Sequence, residues 1–359
     1  MADPKSKSTP ILDALTAALK SGPAQECEDA FYEPRPQGYW YYGSSSWVDV
    51  KPSASEPVPP LTRLTSSLYP EVVRLISWNI DILVPFVEER MAAALQYLEE
   101  LVALTEEGTP VVVFLQEMGQ SDLRQIRDAS WVQERFFITE LDERNWLSPL
   151  YGTTTLVDRR LRIESVWRVP WVSEFDRDGL FVDIGFDGSE KVLRLCNTHL
   201  ESLVADPPAR PLQLEAAGKI LQEESVAAAL LAGDLNAIQP FDRTLHSENG
   251  LKDTYLELGG EEDSDDGYTW GQQVPQWMRD KFGCSRMDKI LFRGSVLPKQ
   301  FERIGINVKV AEEKRQEVRD AGEQEWVTDH YGVMGDFTLD GWKLGVRSVE
   351  DNKVSSKLA

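Results

Sequence analysis

The chain has 359 residues, is 42% apolar, and carries 38 Lys and Arg against 60 Asp and Glu, a formal charge of −22. That length suits one large domain or two ordinary ones, and that apolar content excludes wholesale disorder. The charge excludes a broad nucleic-acid-coating or anionic-membrane surface, so a phosphate-bearing partner has to be met in a local pocket, with a metal to offset the repulsion.

Residues 1–70 differ from the rest. Ile11, Leu12, Leu15 and Leu19 have helical spacing, with Thr9 as a cap and Pro10 in the first turn, and predict one short helix. Pro and Ser then become abundant, as in SASEPVPP from Ser53 to Pro60, and between lies the aromatic run GYWYYGSSSW, Gly38 to Trp47. Those aromatics are expected to pin an N-terminal arm onto the main domain rather than to line a binding surface. From 71 to 345 the pattern is dense, and 346–359 reads as a tail. Val73–Ile80 predicts a strand, Pro85 opens a helix that Gly108 ends, and Val111–Leu115 predicts a buried strand. Further strands are predicted over Thr153–Val157, Arg162–Val169, Leu180–Phe186, Val192–Thr198, Leu230–Leu235, Lys289–Arg293, Ile304–Val310 and Tyr331–Thr338, with a second helix over Ala209–Glu223. Strands this closely spaced predict an α/β architecture of two packed sheets with helices outside, not regular βαβ alternation. Cys27, Cys196 and Cys284 build neither a disulfide framework nor a zinc site. The start, MADPKSKSTP, has no apolar leader core, and runs such as Val226–Ala232 fall far short of a membrane span. An intracellular protein without membrane contact is therefore expected. No feature points to a particular protein partner.

Five strand-like runs end or begin in acids, amides or histidines: SWNID, FLQE, CNTHLE, LAGDLN and TDHYG. Asn79 and Asp81 are two apart, as are Asp234 and Asn236, so in extended backbone each pair points to one side of a sheet rim. Two of the three histidines, His199 and His330, fall in these polar ends, whereas His246 in RTLHSENG reads as surface. The oxygen-rich set Glu117, Asp81, Asn79, Asp234 and Asn236 favours a hard ion, Mg²⁺ or Mn²⁺, over zinc. Such a site fits phosphoryl chemistry. Taken singly, Asp288 reads better as a strand-end acid paired with Arg286 or Lys289, and Asp329 reads also as a helix or turn cap.

The ordered set SWNID, FLQE, NTHLES, AGDLN, RMDKI and TDH resembles the endonuclease/exonuclease/phosphatase superfamily, the metal-dependent phosphodiesterases of deoxyribonuclease I type, over Val72 to about Leu339. The resemblance implies a four-layer α/β sandwich of two mostly antiparallel sheets flanked by helices. It implies that Asn79 and Glu117 hold metal and scissile phosphate, with Asp81 and Asp329 as acids near the metal. Asp234 would activate the attacking water, Asn236 orient it, His199 and His330 contact phosphate, and Asp288 hold His330 in place. With YTW at Tyr268–Trp270 and RMDKILFR, the set is most similar to the 5′-tyrosyl-DNA phosphodiesterases, which implies a single-stranded or frayed DNA 5′ end carrying a tyrosyl adduct as partner and a nuclear location. Tyr151 and Trp270 are candidates to stack on that end, and Arg286 to contact phosphate. The sequence departs from the family's pattern at Ile82, and Ala237–Phe241 lacks a basic residue beside the expected DNA. A phosphodiesterase or phosphatase for another nucleic-acid, nucleotide, inositol or lipid phosphate is the first alternative. The second is a non-enzymatic interaction protein docking through the N-terminal arm or the acidic loop Glu257–Asp266.

Overall fold

The computed structural model describes residues 31–50 and 68–346. The helix expected near residues 9–19, the Ser53–Pro60 run and Cys27 lie outside the described residues. The strands are β1 Arg35–Pro36, β2 Tyr39–Tyr42, β3 Trp47–Val50, β4 Val72–Asn79, β5 Val111–Met118, β6 Phe136–Ile138, β7 Gly152–Asp158, β8 Ile163–Pro170, β9 Asp178–Gly185, β10 Val192–Thr198, β11 Val226–Asp234, β12 Lys252–Asp253, β13 Asp288–Gly294, β14 Val296–Ile304 and β15 Gly332–Leu339. The helices are α1 Val87–Leu104, α2 Gln120–Asp128, α3 Ser130–Arg135, α4 Arg210–Leu221, α5 Leu245–Glu248, α6 Thr254–Glu257, α7 Gln276–Phe282 and α8 Glu312–Asp320.

One sheet has eight strands in the order β14-β15-β4-β5-β7-β6-β2-β3, the other seven in the order β1-β8-β9-β10-β11-β13-β12. Alternation along the central strands gives each sheet two buried faces. Val73 and Leu75 of β4, Val112 and Phe114 of β5, Leu193 and Leu195 of β10, and Ala228 and Leu230 of β11 meet in the core between the sheets. Their neighbours turn outward. Ile76, Trp78, Val111 and Val113 pack under Met91, Leu95 and Leu98 of α1, while Cys196, Ala229 and Leu231 pack under Leu214 and Leu221 of α4. Helix, sheet, sheet and helix make the four layers of an α/β sandwich.

The aromatic run forms the β2–β3 hairpin at the edge of the eight-stranded sheet, with Tyr39 and Tyr41 in the core between the sheets. β1, just before it, pairs with β8 of the opposite sheet, and Gln37 donates to the Thr139 carbonyl (3.0 Å) and to Glu140 (2.8 Å). This segment is thus built into both sheets, more firmly than the expected pinned arm. The strand expected over Ile304–Val310 is a correction: β14 ends at Ile304. Pro298 inside it and a register shift beside that proline disguised the true strand. His246 is also corrected, since it is half-buried on α5 beside Leu200, Leu235 and Lys289 instead of lying on the surface.

Most strand pairs are antiparallel, but β4 with β5 and β10 with β11 run parallel. The carboxyl ends of those four central strands therefore open at one end of the sandwich, and β13 and β15 begin there. Behind that end, Gln116 of β5 donates to Asn197 of β10 (2.8 Å), tying one sheet to the other in the buried interior.

Candidate active site

Each polar strand end delivers one side chain to this opening. Asn79 closes β4, Asp234 closes β11, His199 follows β10, Glu117 is the penultimate residue of β5, and Asp288 opens β13 directly opposite Asp234. Three of the residues turn the chain sharply: Asp81, Glu117 and Asn236 have φ of 57°, 54° and 48°. Non-glycine residues rarely adopt this region, and strain of this kind concentrates where side chains must be re-aimed. Gly233 makes the junction possible. A Cβ there would sit 1.7 Å from the Thr198 carbonyl oxygen, so only glycine lets β11 approach β10 just before Asp234 and His199 diverge.

Asp234 is the hub. Asn79 Nδ2 donates to its Oδ2 at 3.0 Å, and the Asn236 N–H donates to its Oδ1 at 2.8 Å. His199 Nε2 lies 3.3 Å and His330 Nε2 3.6 Å from Oδ2. Burial favours the neutral acid, but His330, His199 and the Asn236 N–H outweigh it and hold Asp234 below the ordinary carboxylate range. His330 Nδ1 is 2.8 Å from Asp288 Oδ2. Burial opposes charging His330, yet the carboxylates of Asp288, Asp234 and Asp329 together push its pKa well above the ordinary value and favour the imidazolium.

His199 is in the opposite state. Arg177 Nη1 lies 2.8 Å from its Nδ1, and because a guanidinium only donates, that nitrogen accepts and the proton sits on Nε2. Burial first, then the Arg177 charge, lowers its pKa and keeps it neutral. Its Nε2 is also 3.8 Å from Glu117 Oε1 but has no aligned acceptor, which leaves a buried polar atom facing the opening. Arg177 further donates to Ser202 (2.7 Å), and Asn236 Nδ2 to the Leu200 carbonyl (3.1 Å).

Arg177, Ser202 and Arg90 were not foreseen from the sequence. Buried Arg90 of α1 donates to the carbonyls of Pro85 (2.7 Å), Gln324 (2.7 Å) and Trp326, clamping the segment that leads to Asp329 and His330. Its only sequence signal is an arginine on the apolar face of a helix.

Three expected contacts are corrected. Arg286 is buried and its Nε, Nη1 and Nη2 are turned to Asp253 (2.7 Å) and Glu262, so its charge is spent on two acids instead of being presented to a phosphate. Tyr151 and Trp270, at 8 and 9% exposure, are not open stacking platforms. The Tyr151 hydroxyl donates to the Phe175 carbonyl (2.5 Å) and Arg177 covers its ring, while the Trp270 indole donates to Asp329 Oδ2 (2.6 Å).

Two groups of side chains bear on metal binding. Asp234, Asp288 and His330 offer ligand atoms within 4.8 Å of one another, but His330 Nδ1 is already engaged by Asp288, an arrangement that serves proton handling better than a metal cage. The wider acid set suits a hard cation. Burial first, then the charges of Asp329 and Glu117, pushes Asp81 well above the usual carboxylate range, and a divalent ion would relieve that crowding. Carboxylate oxygens with room for waters and phosphate are the donor chemistry Mg²⁺ selects.

The family model for the endonuclease/exonuclease/phosphatase family matches residues 76–330, a span that contains this whole constellation. The chain belongs to that family. Among solved structures, it is similar to a humanised tyrosyl-DNA phosphodiesterase 2 from D. rerio at 22% identity and a TM-score of 0.57, covering 74% of this chain and 99% of that one. The D. rerio enzyme in complex with a single-strand DNA product is 20% identical with the same score and coverage. The human nocturnin catalytic domain with bound sulfate is 16% identical at 0.50, covering 80% of this chain and all of that one. These likenesses establish the fold. A search of curated protein sequences finds no match. Family members are hydrolytic nucleases and phosphatases that generally depend on divalent metals. Among the described residues no helix is long and apolar enough to cross a membrane.

Proposed function

We propose that the protein is a Mg²⁺-dependent phosphodiesterase, with Mn²⁺ as a substitute, that hydrolyses a 5′-phosphotyrosyl bond at a DNA end. The observation that carries this reading is the geometry at Asp234, whose carboxylate takes hydrogen bonds from Asn79 and Asn236 and lies 3.3 Å from His199 Nε2 and 3.6 Å from His330 Nε2, with His330 Nδ1 2.8 Å from Asp288. In this role Asp234 accepts the proton of the attacking water, and Asn236 and Asn79 fix the carboxylate's two oxygens. His199 offers its Nε2–H and His330 its imidazolium to phosphate oxygens as charge builds on them, and Asp288 holds His330 in its charged form. Glu117, Asp81 and Asp329 would hold the metal, which supplies charge neutralisation at the phosphate. Water adds to phosphorus in line with the departing tyrosine, and the products are a 5′-phosphate and a phenolate. A phenol leaves far more readily than a sugar alcohol, so no strong general acid is needed on that side. The likeness to tyrosyl-DNA phosphodiesterase 2, one structure of which holds single-strand DNA, supports the choice of substrate. We propose with it a place in DNA repair and in the nucleus. The test offers a 5′-phosphotyrosyl single-stranded oligonucleotide with Mg²⁺ beside 5′-phosphate, abasic-site and inositol-phosphate substrates. Robust turnover of one of these with none of the tyrosyl ester would overturn the reading.

A further inference from the structure

A buried ionic cluster between the sheets has no part in the chemistry above. Arg168 of β8 points into the core on the same side of its strand as Val166. Its Nη1 donates to Asp178 (2.8 Å), which opens β9, and to the Thr153 hydroxyl of β7 (2.9 Å). Its Nη2 donates to Glu140, just past β6, and to the Thr153 carbonyl, both at 2.6 Å. Glu140 also accepts from the Thr139 hydroxyl and from Gln37 of the N-terminal segment (2.8 Å). One guanidinium thus ties β8 and β9 of one sheet to β6 and β7 of the other. Stability alone gives little reason for it. Buried ion clusters are often matched or bettered by apolar side chains of the same volume, and here Arg168 Nε and Gln37 Oε1 are buried without partners.

The cluster stands directly behind Arg177 and His199. Asp178 is the chain neighbour of Arg177, and its carbonyl accepts the hydroxyl of Thr198 (2.7 Å), the chain neighbour of His199. Trp171 completes the joint. Its N–H donates to the Arg177 carbonyl (2.9 Å) and its indole donates to the Thr198 hydroxyl oxygen (3.0 Å). The Trp171 ring lies so close over Gly179 that a Cβ there would be 2.4 Å from it. The β9–β10 pairing ends at Gly179 opposite Thr198, and the loop 172–176 that leads into Arg177 is half-buried to exposed. The strand end that aims the guanidinium at His199 is therefore anchored by Trp171 and, through Asp178, by Arg168.

We infer that Arg168, with Glu140 and Asp178 as its partners, is a positioning residue. From the core between the sheets it fixes the strand end that sets Arg177 against His199 Nδ1, and with it the direction in which the His199 Nε2–H faces the opening. It acts through Arg177 and not on the reacting atoms. Gln37 joins the N-terminal segment to the same cluster, so that segment is coupled to the site as well as to both sheets. The kinetic part of the test rests on the proposed hydrolysis of a phosphotyrosyl ester, and the spectroscopic part does not.

The experiment compares three variants with wild type. Arg168→Lys keeps the charge but not the fork. The combination Arg168→Met, Glu140→Gln and Asp178→Asn removes the charges at nearly constant volume. Glu140→Gln alone keeps an oxygen for Arg168 and Gln37. The chain has three histidines, so their imidazole nitrogen signals can be followed one by one by NMR in metal-free, substrate-free protein. In wild type His199 Nδ1 is expected to show the shift of a nitrogen that accepts a hydrogen bond. In Arg168→Lys and in the neutral combination that signal is expected to move toward the free imidazole. In both, kcat on the 5′-phosphotyrosyl oligonucleotide with Mg²⁺ is expected to fall about tenfold or more, with KM within about twofold. Glu140→Gln alone is expected to keep the His199 signal and to hold kcat within about threefold. An unmoved His199 signal and wild-type kcat in whichever of the first two variants folds, with only the thermal midpoint lowered, make the cluster structural and overturn the inference. An equal fall in Glu140→Gln overturns it too, by putting charge in place of geometry. A His199 signal that moves as expected in a protein without turnover of the tyrosyl ester overturns the proposed function and leaves this inference standing.

Discussion

The Asp234 carboxylate takes hydrogen bonds from Asn79 and Asn236 and faces two imidazoles in different charge states. Asp234→Asn keeps the shape and both amide neighbours but removes the proton acceptor. Its kcat is expected to fall by about a thousandfold or more, with a thermal midpoint close to wild type. Glu117→Gln is expected to abolish turnover likewise, and retained activity in both variants would place the site elsewhere. At this scale the acids, amides and histidines that gather at the opening were legible in the sequence because each interrupts or ends an apolar strand. Arg177 was not legible. It lies in WVSEFDRD, a loop with no apolar pattern, and only folding brings its guanidinium to His199 across 22 residues of chain. Arg286 was misread for the complementary reason: a basic residue beside a site motif looks available until its buried acidic partners are seen.

At the scale of elements, two junctions position the site. Gly233→Ala drives a Cβ into the Thr198 carbonyl and demands a backbone conformation that suits glycine. It is expected to destabilise the fold by about 3 kcal/mol in urea unfolding and to cost activity even where the protein still folds. The second junction is the entry to α2 just after Glu117, where the Asp122 carboxylate accepts the Gly119 N–H at 2.7 Å. Burial raises this carboxyl to about 6, overcoming the opposing effect of that N–H. An acid with a higher pKa when folded takes up a proton on folding. Its contribution is therefore full below the unfolded value near 4 and is lost as pH rises through 6. Asp122→Asn keeps an acceptor and cannot titrate. Between pH 4.5 and 7 the wild type is expected to lose about 2 kcal/mol of unfolding free energy relative to this variant, and parallel curves would contradict the assignment. Element types came readily from period-2 and helical patterns. β14 did not, because an edge strand with a proline and a bulge lacks both the pattern and the burial that announce a central one.

For the whole molecule, the charge of −22 and the crowding of Asp81, Glu117 and Asp329 make one prediction. Mg²⁺ at millimolar concentration is expected to raise the thermal midpoint by a few degrees, by binding the folded state alone. Asp81→Asn should blunt that rise, and chelation should abolish turnover. A midpoint indifferent to Mg²⁺ in wild type would count against the acid set as the metal's holder. What the sequence by itself determined was the two-sheet architecture and most of the polar residues that gather at the opening, because strand alternation and misplaced polar ends are local signals that survive without neighbours. Only the tertiary structure decided which of those groups face one another, and that the pKa of His199 is pushed down while that of His330 is pushed up. Those properties depend on burial and on partners up to hundreds of residues away, and no window along the chain contains both sides of such a contact.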